Sequence, residues 1–132
     1  MKVYTDAARD ESVAGFGWYI FVSPEQQFSN NRYLMGNYTS MESEYYAMLD
    51  GLRYARRQST EERIEVYCDC QPLVEKMRVP DADSDDWYDR RKGCHRLLNK
   101  FSSWSLQWIP RGQNEIANRL AYEALEQGRQ EL

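Results

Sequence analysis

At 132 residues, 42% apolar and 14% aromatic, the chain has the material for one folded domain over residues 1–132, and its 10 Tyr, 4 Trp and 4 Phe exclude a solvated polar tail. The longest near-apolar run, residues 13–22, is about half of the ~20 residues a bilayer span needs, so no membrane association is expected. A net charge of −4, with 13 Arg and 4 Lys among the ionic residues, excludes a globally basic nucleic-acid binder but leaves room for a local basic face. Residues 3–6 alternate as a short strand that ends on Asp6, and residues 15–22, rich in aromatic and β-branched types, read as a central strand. Residues 27–38 form a third strand, joined to the second by the tight Ser23-Pro24-Glu25-Gln26 turn of an antiparallel pair. A long helix over 40–57 follows, with Met41, Tyr45, Met48, Leu49, Leu52 and Ala55 at helical spacing and a capping box, Thr39-x-x-Glu42, at its start.

Residues 64–69 are a strand that again ends on an acid, Asp69. A short helix over 71–78 and an acidic, turn-rich stretch over 80–86 lead into a helix over 86–101 with Trp87, Cys94, Leu97, Leu98 and Phe101 inward. Residues 104–109 make the last strand, stopped by Pro110. The closing helix over 114–127 carries the stripe Ala117, Leu120, Ala121, Ala124 and Leu125. The order βββαβααβα predicts an α/β fold: a five-stranded mixed sheet, three antiparallel meander strands plus parallel ones, with helices on both faces. Three cysteines make no disulfide framework and no secretory leader follows Lys2, so a reducing cytoplasm is the expected location.

Asp6 and Asp69 share a placement at strand ends. If their strands are parallel neighbours, both carboxylates emerge at one sheet edge, where open α/β sheets place their sites. Two unpaired carboxylates at close range repel, so such a pair calls for a shared proton, a basic partner or a divalent cation. Glu42 and Glu44 flank the apolar stripe of the long helix on opposite sides, and periodicity alone does not choose between them. The capping box already occupies Glu42, which leaves Glu44 as the better candidate for a third acid.

Four segments in order carry a resemblance: Val3-Tyr4-Thr5-Asp6-Ala7 with Gly15-Phe16-Gly17; Ser43-Glu44-Tyr45-Tyr46-Ala47-Met48-Leu49-Asp50-Gly51-Leu52; Val66-Tyr67-Cys68-Asp69-Cys70-Gln71; and Trp108-Ile109-Pro110-Arg111-Gly112-Gln113-Asn114-Glu115-Ile116-Ala117-Asn118-Arg119-Leu120-Ala121. The chain resembles a type 1 ribonuclease H, in the short branch without an extended basic protrusion. The resemblance implies an RNase H-like domain and an endonuclease that hydrolyses the RNA strand of RNA–DNA hybrids. It further implies two Mg²⁺ or Mn²⁺ ions held at four acidic positions and no small-molecule cofactor. Asp6, Glu44 and Asp69 fall on the first three of those positions, and Asn118 stands at the fourth, where the family usually has Asp. An amide oxygen can ligate a metal without adding charge, so reduced activity or a demand for more metal is expected. Ser40 and Met41 replace the paired asparagines that read the minor groove, Gln71 matches the family's glutamine, and the loop that carries a histidine in many members is absent.

The resemblance also implies that a basic, tryptophan-bearing helix grips the DNA strand. Trp87, Arg90, Arg91, Lys92 and Arg96 fall there, with Lys92, Arg96 and Lys100 at i, i+4 spacing; the plainer reading is a solvated face. Arg53, Arg56 and Arg57 are expected to serve the dipole at the long helix's C-terminus. Cys68-x-Cys70 with Cys94-His95 lacks zinc-knuckle spacing; Cys68 is expected to point into the core and His95 to lie on a helix surface. The rival to the enzyme is a nucleic-acid- or protein-binding module of the same fold with a weakened site.

Overall fold

The computed structural model describes residues 1–78 and 88–132, with side chains in the second stretch from 91 onward. Its elements are β1 (Lys2–Arg9), β2 (Val13–Ser23), β3 (Gln26–Met35), α1 (Ser40–Gln58), β4 (Arg63–Cys68), α2 (Gln71–Arg78), α3 (Tyr88–Leu98), β5 (Ser103–Trp108) and α4 (Glu115–Gln130), with one 3₁₀ turn at Arg111–Gln113. The sheet order is β3-β2-β1-β4-β5. β1 pairs antiparallel with β2, and β2 with β3, whereas β4 is parallel to both β1 and β5. This is the five-stranded mixed sheet that the element order predicts.

Alternation along the strands sorts the two faces. Val3, Trp18, Ile20, Ile64 and Val66 bury against the α1 stripe of Tyr45, Met48, Leu52 and Ala55, and α2 and α3 extend that layer with Leu73, Met77, Cys94 and Leu98. The capping box at the head of α1 is complete: Glu42 N–H donates to Thr39 Oγ1 at 3.1 Å, and Thr39 N–H donates to Glu42 Oε1 at 3.0 Å. It fixes where α1 starts and hence where Glu44 falls. β3 is shorter than its pattern suggests because Gly36, with φ 138°, turns the chain after Met35.

On the other face α4 lies directly on the backbone of β2. A methyl group at Gly17 would sit 2.5 Å from the Ala117 carbonyl oxygen and 2.6 Å from the Ala121 nitrogen, and one at Gly15 would meet Ala121 and Leu125. Only glycine permits this approach, and it brings Asn114 and Asn118 of the helix head down to β1. Gly17→Val is therefore expected to destabilise the protein by about 3 kcal/mol or more, since the obstruction is backbone that cannot rotate away. Urea unfolding checks this; a variant within about 0.5 kcal/mol of wild type would show that α4 is not seated this way.

Candidate metal centre

The parallel ladder between β1 and β4 ends at Thr5 opposite Cys68. β1 runs on for several residues against β2 alone, so Asp6 lies inside its strand rather than at the strand's end, a correction to the sequence expectation. What ends there is β4, and Asp69 leaves the sheet beside Asp6. Glu44 reaches the same point from α1. Carboxylate oxygens of Asp6, Glu44 and Asp69 all lie within 4.8 Å of one another.

The cluster is nearly dry. Asp6 is 2% exposed, Glu44 9%, and the Asp69 side chain 6%. Glu44 Oε2 and Asp69 Oδ2 are buried with no hydrogen-bond donor among the described residues. Burial pushes the Glu44 carboxyl well above the usual carboxylate range, and the charges of Asp6 and Asp69 push it further. The same causes, burial first and Asp6 second, raise Asp69 to about 6, against the opposing pull of Arg111 and Asn114. Cys70, on the rim, is raised to about 11 by burial and by Glu44. A set of hard oxygen donors that resists ionising on its own fits a divalent cation, which supplies the missing positive charge.

Asn118 joins the cluster from α4: its Nδ2 donates to Asp6 Oδ2 at 2.7 Å. The first-position acid thus has both oxygens in use, since Oδ1 accepts from the Ala7 N–H at 2.9 Å. Three neighbours to which the sequence reading gave no role stand close by. Arg111 Nε lies 3.8 Å from Asp69 Oδ2 on a side chain 72% exposed. Trp108 Nε1 donates to the Asp69 carbonyl at 3.2 Å. Asn114, 1% exposed, donates to the Thr5 carbonyl at 2.9 Å and keeps a buried Oδ1 without a donor among the described residues. All three fall within the segment that carries the resemblance; only their spatial return to Asp69 was hidden, because it depends on how β5 and the 3₁₀ turn close over the sheet edge.

The acids open into a groove of about 530 Å³ whose lining includes Arg9, Ser40, Glu44, Asp69, Gln71 and Arg111. Ser40 and Gln71 therefore line the same groove as Glu44 and Asp69. The basic helix fares differently. Arg91 is 3% exposed and its Nη1 donates to the Lys76 carbonyl at 3.4 Å, so it belongs to the α2–α3 seam and is not available to a substrate phosphate. It falls on the same side of α3 as Cys94 and Leu98, and the buried stripe takes it inward. Lys92 and Arg96 are exposed on α3 but do not line the groove. Trp87 and the Arg90 side chain lie outside the described residues. His95 is half-buried edge-on to Trp104 at 5.7 Å, not on an open surface, and burial lowers its pKa. Cys68 and Cys94 are both fully buried, Cys68 as expected.

A mixed sheet in this strand order, with acids converging where its central parallel ladder ends, defines an RNase H-like protein. Solved structures agree. The ribonuclease H1 of the archaeon Halobacterium salinarum superposes with a TM-score of 0.83 at 28% identity, over 96% of this chain and 97% of that one. LC11-RNase H1, solved in complex with an RNA/DNA hybrid, gives 0.83 at 20% identity over 96% and 97%, a likeness of fold alone. The sequence profile described as reverse transcriptase-like matches residues 4–124, and the chain belongs to that family. A curated Halobacterium salinarum protein named Ribonuclease HI is 33% identical over 86% of this chain; the chain spans 57% of that protein's length.

Proposed function

We propose that the chain is a ribonuclease H domain acting in a reducing cytoplasm, hydrolysing the RNA strand of RNA–DNA hybrids with two Mg²⁺ or Mn²⁺ ions. The observation that carries this reading is the convergence of Asp6, Glu44 and Asp69 within 4.8 Å, with two buried carboxylate oxygens left without a donor among the described residues. Those oxygens and the oxygen-only donor set fit hard divalent ions. Asp6, Glu44 and Asp69 would hold them, with the Asn118 amide oxygen as an uncharged fourth donor. Bound there, such ions supply an activated water and neutralise the charge that builds on a phosphodiester during cleavage. The residues of the chain do the positioning. Arg111, exposed beside Asp69, presents a fork of N–H donors to a phosphate in the groove. Ser40 and Gln71 offer hydrogen bonds from the groove wall toward the sugar–phosphate chain, where the 2′-hydroxyl distinguishes RNA from DNA. The dry floor strengthens every such contact.

Incubating an end-labelled hybrid with the protein across millimolar Mg²⁺ and Mn²⁺ tests the proposal. Cleavage leaving 3′-hydroxyl and 5′-phosphate ends is expected, and no cleavage in either metal would overturn it. One observation favours the rival binding module: Asn118 already donates to Asp6, in place of a fourth carboxylate. Metal-independent, salt-sensitive retention of the hybrid in a gel shift, without cutting, would be its signature.

The raised carboxyls also set a pH dependence. A carboxyl whose folded pKa is raised binds protons more tightly in the folded state, so its contribution to stability is greatest at low pH. For Asp69 that contribution is lost as pH climbs from its ordinary value of 3.8 through about 6, and Glu44 adds a loss of the same sign. A cation that binds the ionised cluster reverses it. Millimolar Mn²⁺ is therefore expected to raise Tm strongly at about pH 8 and little at about pH 5. Calorimetry showing the same increment at both would contradict the shared-charge account.

A further inference from the structure

α1 carries Glu44 near its head and Arg53, Arg56 and Arg57 near its tail, about 14–20 Å further along the axis at 1.5 Å per residue. Around those arginines two depressions adjoin. One, about 440 Å³, is lined by Arg53, Arg56, Arg57 and Leu97 of α3. The other, about 240 Å³, shares Arg53 and Arg57 and reaches Arg32 and Asn30 of β3. Among the described residues lining the two, Asp50 is the one carboxylate, and it is engaged: Arg32 grips it with two bonds and Arg53 lies 3.9 Å away. Arg56 and Arg57 have no carboxylate partner among the described residues, and the Arg53 side chain is 59% exposed. Arg96 of α3 and Lys100 in the turn after it are exposed as well.

Four guanidinium groups against one carboxylate on a protein of net charge −4 is a segregated field. The dipole at the C-terminus of α1 favours cations in its last turn, where Arg56 and Arg57 lie, but it does not account for Arg53 and Arg32 sharing the same depression. We infer that the Arg53–Arg56–Arg57 groove is a second, non-catalytic site that takes the phosphodiester backbone of nucleic acid. It would hold substrate several base pairs from the acids, by phosphate contacts that carry no sequence preference. This rests on the proposed function for the identity of the polyanion.

The test is fluorescence anisotropy with a labelled RNA–DNA hybrid of about 24 base pairs, in chelator so that nothing is cut, over a salt series. The variants are Arg57→Glu, Arg56→Glu/Arg57→Glu and the milder Arg56→Ala/Arg57→Ala. Lys2→Glu, exposed on the opposite face of the sheet, matches the net charge of the first. The double swap is expected to weaken binding about tenfold or more at low salt and to reduce the salt slope by about two; the alanine pair gives a smaller loss of the same sign, and Lys2→Glu has no effect. Where cleavage is measured, KM rises and kcat stays within about twofold. Wild-type affinity and slope in the double swap would overturn the inference, and so would an equal loss in Lys2→Glu or a lowered Tm without loss of binding. A wild type that binds through the arginines but never cuts would sink the nuclease reading alone, and one that cuts but binds equally without them would sink the groove alone.

Discussion

Asp69→Asn is expected to leave the protein more stable and inert. In the metal-free state the substitution removes one of three crowded carboxylates, itself raised by burial and Asp6, and keeps the shape, so the repulsion on Glu44 falls. Thermal unfolding in chelator at about pH 8 should show a higher Tm than wild type. With Mg²⁺ or Mn²⁺ the order reverses, because a charged donor is gone. Hybrid cleavage should drop by about a hundredfold or more, in line with the several kcal/mol a bound ion contributes to phosphoryl chemistry. The cation-induced rise in Tm should shrink with it. A variant that cuts as fast as wild type would remove Asp69 from the site, whatever its stability did.

The second large effect is expected at Asn118→Asp. The amide now donates to Asp6 at 2.7 Å. A carboxylate there turns a hydrogen bond into a like-charge contact, so the metal-free protein should lose stability above about pH 6. The same change gives a divalent ion a fourth charged oxygen. The Mn²⁺ concentration for half-maximal stabilisation should fall by about tenfold or more, and cleavage at limiting metal should rise. Titrating Tm and cleavage rate against Mn²⁺ measures both. An unchanged metal requirement would place Asn118 as a structural partner of Asp6 that no ion needs.

Most of the architecture was legible because the chain marks its own boundaries. The strand patterns, the Thr39–Glu42 capping box and the alanine stripe of α4 each state a local preference that the packing reinforces. The assembly of Asp6, Glu44 and Asp69 was legible too, once the resemblance supplied the order of its segments. Orientation was less accessible. Arg91 reads as a cation on a basic helix, yet its turn of α3 faces α2, and only the packing of the two helices shows that its head bonds the Lys76 carbonyl. Arg111 and Trp108 reach Asp69 through a turn whose path no periodicity encodes. The placement of Asp6 within its strand was missed for a related reason: a ladder's end is set by the partner strand and is not written in the strand itself.

Asp6 and Asn118 are 112 positions apart, and the glycine seat for α4 lies between strands formed at the start of the chain and a helix formed at its end. Contacts of such separation are made late, after the entropy of closing a long loop has been met. A partly folded or C-terminally shortened chain can therefore carry the three acids without the helix that closes over them. Removing residues beyond Gln113 would strip the furrow along Gly15 and Gly17 and expose the apolar sheet face at Ala8 and Val13 to association, so the last helix guards the solubility of the first strands as well as the geometry at Asp6.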